Sequence, residues 1–408
     1  MKILILIEQN PFFQSSASAN RWRTLIEGLA ELGADVKLII TGGFNHPAEY
    51  KQLGFSGTFG NIKYQYLSFL FHHNIWLRRI NKYVLAPILQ PFVLHLSKKL
   101  VRKHKPDIVW TTSSLEGFRL AVAIKKSDIP VLLFLEMSEF LDIYLSNEGR
   151  SIHKKGGRDR QYYFEDKAFH AYDLMALMTK TLLKHYKSFP QPAPKLLHLP
   201  MTVDLNRFNP LNKYPYPDGL KKPYIAFIGV MNNQKEGINI LIDAFARISN
   251  KFPEYSLYLF GFYHYDTPGH LKQIKDLGLE NNICYKGEIS REEVPNVLMN
   301  AGLLVLPRPD SKQAQGGFPT KLGEYLATGK PVCVTRVGEI PEYLEDGKSV
   351  FMAKPGDTDS FAYAMERALS NPVLAKEVGK NGRKVAEKYF NMEKQAEKLY
   401  NFLFENIS

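Results

Sequence analysis

Short apolar runs of strand type alternate with helix-length amphipathic stretches along the whole chain. KILILI (2–7) is followed by a helical stretch near 19–33 and then by DVKLIIT (35–41). DIVWTT (107–112), PVLLFLE (130–136) and LMALMT (174–179) continue the series with helices between them. Such alternation belongs to a parallel sheet wound by helices on both faces. Residues 189–223 interrupt it with eight prolines, which reads as an inter-domain connection. The alternation restarts with YIAFIGV (224–230), SLYLFG (256–261), NICYKG (282–287), LLVLP (303–307) and PVCVT (331–335), and helices follow from 358 onward. At 408 residues the chain exceeds one ordinary domain. The expected fold class is α/β: two successive doubly wound parallel-sheet domains, 1–205 and 216–387. In such sheets ligands sit outside the carboxyl ends of the strands, so the cleft between two of them is the expected site.

Composition narrows the partners. Cys284 and Cys333 are the only cysteines, each in or beside an apolar run, so reduced buried thiols and a cytoplasmic location are expected. The opening MKILILIEQN has a run of five apolar residues, Ile3 to Ile7, before Glu8, which makes a first strand and is too short for a signal peptide. No window reaches the roughly 20 uninterrupted apolar residues of a membrane span. The net charge of +12 is concentrated: from Glu49 to Asp107 there is no acidic residue between, and ten basic ones occur. A one-sign block within a foldable domain points to an anionic partner, whether phospholipid, nucleic acid or a phosphorylated substrate.

The chemistry concentrates in GGFPTKLGEYLATGKPV (316–332), between strands LLVLP and PVCVT. Its helix starts at the carboxyl end of a strand, where free N–H groups and the positive dipole end favour an anion. Gly316 and Gly317 are expected to let backbone approach closely, and Pro319 to open the first helical turn. At 100° per residue Lys321, Glu324 and Thr328 share one face, Leu322 and Leu326 a second, and Gly323 and Ala327 a small third. Lysine suits phosphate oxygens, and a carboxylate suits vicinal ribose hydroxyls, so the pair fits a nucleotide diphosphate. The plain alternative is a solvated Lys–Glu pair, worth a few tenths of a kcal/mol. The glycines, the proline and the strand-end position favour the site.

With these residues in view, the chain resembles the nucleotide-sugar-dependent glycosyltransferases of family GT4, whose GT-B fold has two facing Rossmann-like domains. The resemblance runs through LHLPMTVDLNRF (197–208), FIGVMNNQKEGINILIDAF (227–245), NICYKGEISREEVPNVLMNAGLLVLP (282–307), the 316–332 motif and TRVGEIPEYLEDGKSVFMAKPGDTDSF (335–361). It implies that a C-terminal helix, about 388–408, crosses back to the N-terminal acceptor-binding domain, while 216–387 binds the donor. The family signature of two glutamates eight positions apart falls on Gly316 and Glu324. The ribose role passes to Glu324, and the glutamate that reaches the donor sugar is missing. The family's Gly-Arg and Lys-Gly clamp reads Gly229-Val230 and Lys235-Glu236-Gly237, so its arginine is gone and its lysine is displaced by one.

The expected donor residues are therefore Gly229, Lys235, Lys286, Arg308, Gly316, Gly317, Phe318, Pro319, Thr320, Lys321 and Glu324, with Lys286 near the base. Lys321 is also the expected catalytic cation. Glu136 and Glu139, after strand PVLLFLE, are candidates to orient or deprotonate an acceptor hydroxyl, or else helix-start carboxylates. Ser15, Ser16, Ser18 and Asn20 in the first βα loop suit sugar hydroxyls, with Ser18 or Asn20 alternatively the helix cap. The resemblance implies a retaining, metal-independent transfer with the nucleotide-diphosphate sugar as co-substrate and no cofactor. No Asp-x-Asp, HExxH or CxxC is assigned as a metal site.

Residues 64–105 mix aromatics and aliphatics with the basic block. They suit docking on an anionic membrane surface, which fits a glycan or polyprenyl-diphosphate-linked acceptor and a peripheral place on the inner face of the cell membrane. The alternative is a cationic face over the N-terminal sheet with its apolar side in the core. No nucleic-acid module is visible. The functional expectation is a glycosyltransferase of cell-surface polysaccharide or glycolipid synthesis. A nucleotide-sugar 2-epimerase and a non-catalytic nucleotide-sugar-binding partner are the alternatives.

Overall fold

The computed structural model describes residues 1–14, 16–141 and 156–407. The chain divides into one unit of Met1–Leu199 with Glu393–Ser408 and a second of Pro200–Met392. The first unit has eight strands: β1 (Lys2–Ile7), β2 (Asp35–Ile40), β3 (Ser56–Phe59), β4 (Ile62–Tyr66), β5 (Ile108–Thr111), β6 (Leu132–Met137), β7 (Leu174–Leu177) and β8 (Lys195–His198). They pair in the order β3-β4-β2-β1-β5-β6-β7-β8, parallel except for the antiparallel β3–β4 edge. The side-chain period of two splits β1 between two cores: Ile3, Ile5 and Ile7 join one face, Leu4 and Leu6 the other.

Helix α1 (Ala17–Glu31) starts at Ser16, whose side chain accepts from the Ala19 N–H at 3.2 Å. The cap is therefore Ser16 rather than Ser18 or Asn20, which lie inside the helix. Trp22 of α1 stacks on Trp110 of β5 with ring centroids 4.3 Å apart. Ile75–Ile80, a π-helical turn at Asn81–Leu85 and α2 (Ala86–His104) form one continuous helical run. Helix α3 (Leu115–Lys125) follows β5, capped by Ser114.

The second unit is a six-stranded, wholly parallel sheet of β9 (Tyr224–Ile228), β10 (Ser256–Phe260), β11 (Ile283–Gly287), β12 (Leu303–Leu306), β13 (Val332–Thr335) and β14 (Phe351–Ala353). Its order is β11-β10-β9-β12-β13-β14. The helices that matter for function are α4 (Asn233–Glu236) after β9 and α5 (Thr320–Ala327) between β12 and β13. The small face expected on α5 is used for close packing: a Cβ on Gly323 would collide with Met201, whose sulfur would lie 2.8 Å away.

That contact also moves the domain boundary. Met201, Val203 and Phe208 are buried in the second unit, and Val203 bridges to Asn391. The first unit therefore ends at Leu199 rather than 205, and much of the proline-rich stretch is packed structure rather than a linker. The last helix, α6 (Met392–Phe404), returns to the first unit, where Leu399 and Leu403 are fully buried with Ile3, Ile5 and Leu29. Removing such a side chain leaves a cavity that a close-packed core fills only in part. Leu399→Ala is expected to destabilise the first unit by about 3 kcal/mol, read as a lower urea midpoint for its transition with the second unit's transition unmoved.

Candidate functional site

In an open parallel sheet the strand order reverses at one point, and ligands bind outside the carboxyl ends there. In the second sheet that point lies between β9 and β12. Three segments meet at it: the β9 end with α4, Arg308 just past β12, and the first turns of α5. Tyr325 fixes α5 to β9, its buried hydroxyl accepting from the Ile228 N–H at 2.8 Å. One turn earlier on the same helix, the Lys321 amine forms an ion pair with Glu236 Oε1 at 2.7 Å. The amine also lies 5.1 Å from the Phe227 ring centroid.

The missing side chain of Gly229 makes this arrangement possible. A Cβ there would collide with the Lys321 amine and approach the Phe227 ring to 2.6 Å. Burial, reinforced by Lys235 and Arg308, pulls Lys321 below the ordinary lysine range, and Glu236 opposes that pull. The three cations expected from the sequence therefore share one electrostatic environment. Glu236 is 2 % exposed, and its second oxygen has no hydrogen-bond partner among the described residues. Lys321, Lys235 and Arg308 with Glu236 make a largely dry, charged corner in which one carboxylate oxygen is an unfilled acceptor.

The rest of the motif is placed differently from expectation. Gly316 ends a helical turn, Lys312–Gly316, and Gly317 is extended at φ −116°. Phe318 is buried against Phe390 and Tyr343, with centroids 5.1 and 5.7 Å away, so its role is packing. Pro319 occupies the cap position and the helix begins at Thr320, which is half-buried. Glu324 is already engaged: Arg207 donates to it at 2.7 Å and to the Arg291 carbonyl at 2.6 Å. A ribose at this place would share the carboxylate with that guanidinium. Lys286 is exposed and donates to the Gly219 carbonyl at 3.1 Å over the Tyr258 ring. It reaches toward the segment before β9 and is not brought to Lys321. The chain's one Asp-x-Asp is occupied structurally. Asp357 caps the following helix through the Ser360 N–H at 2.9 Å, and Asp359 pairs with Arg247.

In the first unit the expected carboxylates divide. Glu136 lies inside β6, buried, and binds Arg21 at 2.7 Å. Arg21 in turn donates to the Leu199 carbonyl at 2.8 Å. The pair is a strut joining α1, β6 and the end of β8, because a buried carboxylate needs a fixed counter-charge. Glu139 is half-buried in the bend after β6. Ser18 is exposed with its hydroxyl 3.1 Å from that of Ser16, Asn20 is half-buried, and Ser15 lies outside the described residues.

A second cluster went unread in the sequence. The first sheet reverses between β1 and β5. There the Thr112 hydroxyl, Oγ1, lies 2.7 and 2.9 Å from the two oxygens of Glu8, and Ser114 also donates to Glu8. Glu116, in the first turn of α3, faces the same charge. Burial first and Glu8 second raise its carboxyl to about 7, against a hydrogen bond from Thr41 and the charge of Arg119. A carboxyl half-protonated near neutrality can take or give a proton there. The signal was available in the run Thr-Thr-Ser-Ser-Leu-Glu after β5 and a lone glutamate directly after β1.

Residues 213–385 match the family model described as glycosyl transferases group 1. Among curated proteins the chain is 26 % identical over 206 residues to an MMP α-(1→4)-mannosyltransferase of Mycolicibacterium hassiacum, covering 50 % of this chain and 47 % of that one. The chain thus spans about half the length of the curated relatives it matches. Sucrose-phosphate synthase from Thermosynechococcus elongatus superposes with a TM-score of 0.78 at 18 % identity over all of both chains. HepE of Anabaena, solved in complex with UDP-glucose, gives 0.68 at 16 % identity over 99 % of this chain and 100 % of that one. At these identities the likeness shows the fold, which is GT-B.

Glu116 gives a pH test. Between the ordinary carboxyl value near 4.5 and about 7, the folded state binds more protons at this position than the unfolded state. Its contribution to stability therefore falls as pH rises through that window. Glu116→Gln, which cannot ionise, should leave the melting temperature nearly unchanged at about pH 4.5 and raise it above the parent protein's at about pH 8. Equal shifts at both pH values would contradict the raised carboxyl.

Proposed function

Starting from a group 1 glycosyltransferase domain over residues 213–385, we propose that this chain transfers a hexose from a nucleotide-diphosphate donor to an acceptor hydroxyl. The observation behind this reading is the Lys321 corner, where an amine held by Glu236 and Gly229 stands with Lys235 and Arg308 at the strand-order reversal. As the sugar–phosphate bond breaks, negative charge builds on the diphosphate. Cations already fixed in a dry site stabilise that charge without reorganising. Lys321 is the central one, and its depressed affinity for a proton recovers when the phosphate arrives. Glu236 turns the amine toward the corner and offers its open oxygen to a hydroxyl of the incoming donor.

The remaining steps follow from the same chemistry. Chain cations take the place of a metal, so transfer proceeds without one, and the departing diphosphate assists attack from the face it leaves, with retention. Within the first unit, Glu8 and Glu116 are suited to bind acceptor hydroxyls. HepE, whose solved complexes contain UDP and UDP-glucose, supports a nucleotide sugar as donor. A glycan or polyprenyl-diphosphate-linked acceptor, handled in the cytoplasm, completes the reading.

Thermal unfolding with UDP, GDP and their sugars tests the donor site. A ligand at 100 times its Kd should stabilise the protein by about 2.7 kcal/mol. Lys321→Ala should lose most of that shift, while chelator leaves turnover unchanged. A full shift retained by both Lys321→Ala and Glu324→Ala would overturn the assignment. Turnover of UDP-N-acetylglucosamine with no acceptor present would instead identify an epimerase. Binding with neither transfer nor donor hydrolysis would identify a binding partner.

A further inference from the structure

The helical run from Ile75 through His104 has an inner face seated on the first unit. Asn81 is buried and donates to the Phe71 carbonyl at 2.9 Å. Gln90 accepts from Arg119 at 3.0 Å, and Leu94, Ser97 and Val101 lie against the core. Its outer face is unusual. Trp76, Ile80, Val84, Ile88 and Phe92 are 66, 47, 52, 68 and 59 % exposed. Each stands four positions after the one before, so together they form a row.

An α-helical row at that spacing drifts by about 40° per step, because four residues overshoot a 3.6-residue turn. The π-helical turn at Asn81–Leu85 is wider and sets the row back, which keeps five large side chains along one stripe. Toward the C-terminal end, the exposed positions become His95, Lys99, Arg102 and Lys103. Arg79 and Lys105 are also exposed, and no acidic residue occurs anywhere between Glu49 and Asp107. An apolar stripe continuing into a cationic one is the surface that acyl chains and anionic headgroups complement together. None of the described helices is long and apolar enough to cross a membrane.

We propose that this outer face is the docking surface of the chain for an anionic phospholipid bilayer, with the Trp76–Phe92 row entering the acyl boundary and the Lys99–Lys103 end on the headgroups. The alternative of an apolar side folded into the core does not hold for this row. The inference goes beyond the donor-site reading and stands apart from it, because vesicle binding is measured with no nucleotide present.

The full chain is sedimented with vesicles of phosphatidylcholine alone, and with vesicles of phosphatidylcholine and phosphatidylglycerol in equal parts. Tryptophan emission is recorded on the same samples. Trp76 is the reporter, since Trp22 and Trp110 are stacked on each other. The expected result is binding to the anionic vesicles with a blue shift, weakened by salt. Ile80→Asp with Ile88→Asp should bind about ten-fold or more weakly. Lys99→Glu with Arg102→Glu should lose the preference for phosphatidylglycerol. Both pairs are exposed or half-exposed positions, and helical content by circular dichroism checks that the fold is intact. Undiminished binding by the Ile80/Ile88 variant, or equal binding of the parent protein to both vesicle types, overturns the proposal. So does a vesicle-free dimer that these substitutions disperse, which would make a second copy of the chain the occupant.

Discussion

The corner around Lys321 depends on one buried ion pair. Lys321 and Glu236 come from different helices, 2.7 Å apart, with the carboxylate almost wholly removed from water. Neither charge would be tolerable there alone, because an isolated ion in a dry site costs far more than a paired one returns. Several features of the second unit read as consequences. The missing Cβ of Gly229 leaves the amine room beside Phe227. Tyr325 has to reach the Ile228 backbone so that the helix bearing Lys321 is fixed to β9. Lys235 and Arg308 add positive charge around the Lys321 amine, against which Glu236 holds it.

The first unit uses the same position in its sheet for opposite chemistry. Where its strand order reverses, the chain places Glu8, Thr112, Ser114 and Glu116 in place of cations. Burial first, and the neighbouring charge of Glu8 second, raise Glu116 into the neutral range, which suits hydroxyl recognition and proton transfer. Glu136, a carboxylate on a neighbouring strand, is excluded from that work by Arg21, which ties it to the backbone at Leu199.

Much of this was legible from spacing. The two parallel sheets, the small face of α5 and the grouping of Lys235, Arg308 and Lys321 follow from local pattern and from the rule that ligands sit at strand ends. The partners were not legible. Arg207 meets Glu324 across 117 positions, and Arg21 meets Glu136 across 115. Such pairings are made by the tertiary fold and leave no local period. Glu236 was visible only as a departure from a familiar motif, and its role appears once Lys321 is placed beside it. The outward row on the 75–104 run was hidden for a different reason. Hydrophobic residues alone do not say which face turns to solvent, and the π-helical turn changes the phase on which such a reading relies.

The most direct measurement of the central claim is calorimetric titration of UDP and GDP into the parent protein and into Gly229→Ala. The new methyl group takes the space of the Lys321 amine while leaving every charged residue in the chain. If the corner holds the donor diphosphate, the substitution should weaken whichever nucleotide binds by at least about ten-fold, a loss of about 1.4 kcal/mol, with circular dichroism unchanged. Unaltered affinity in Gly229→Ala would contradict the account, since the diphosphate would then be held without the amine that Gly229 accommodates.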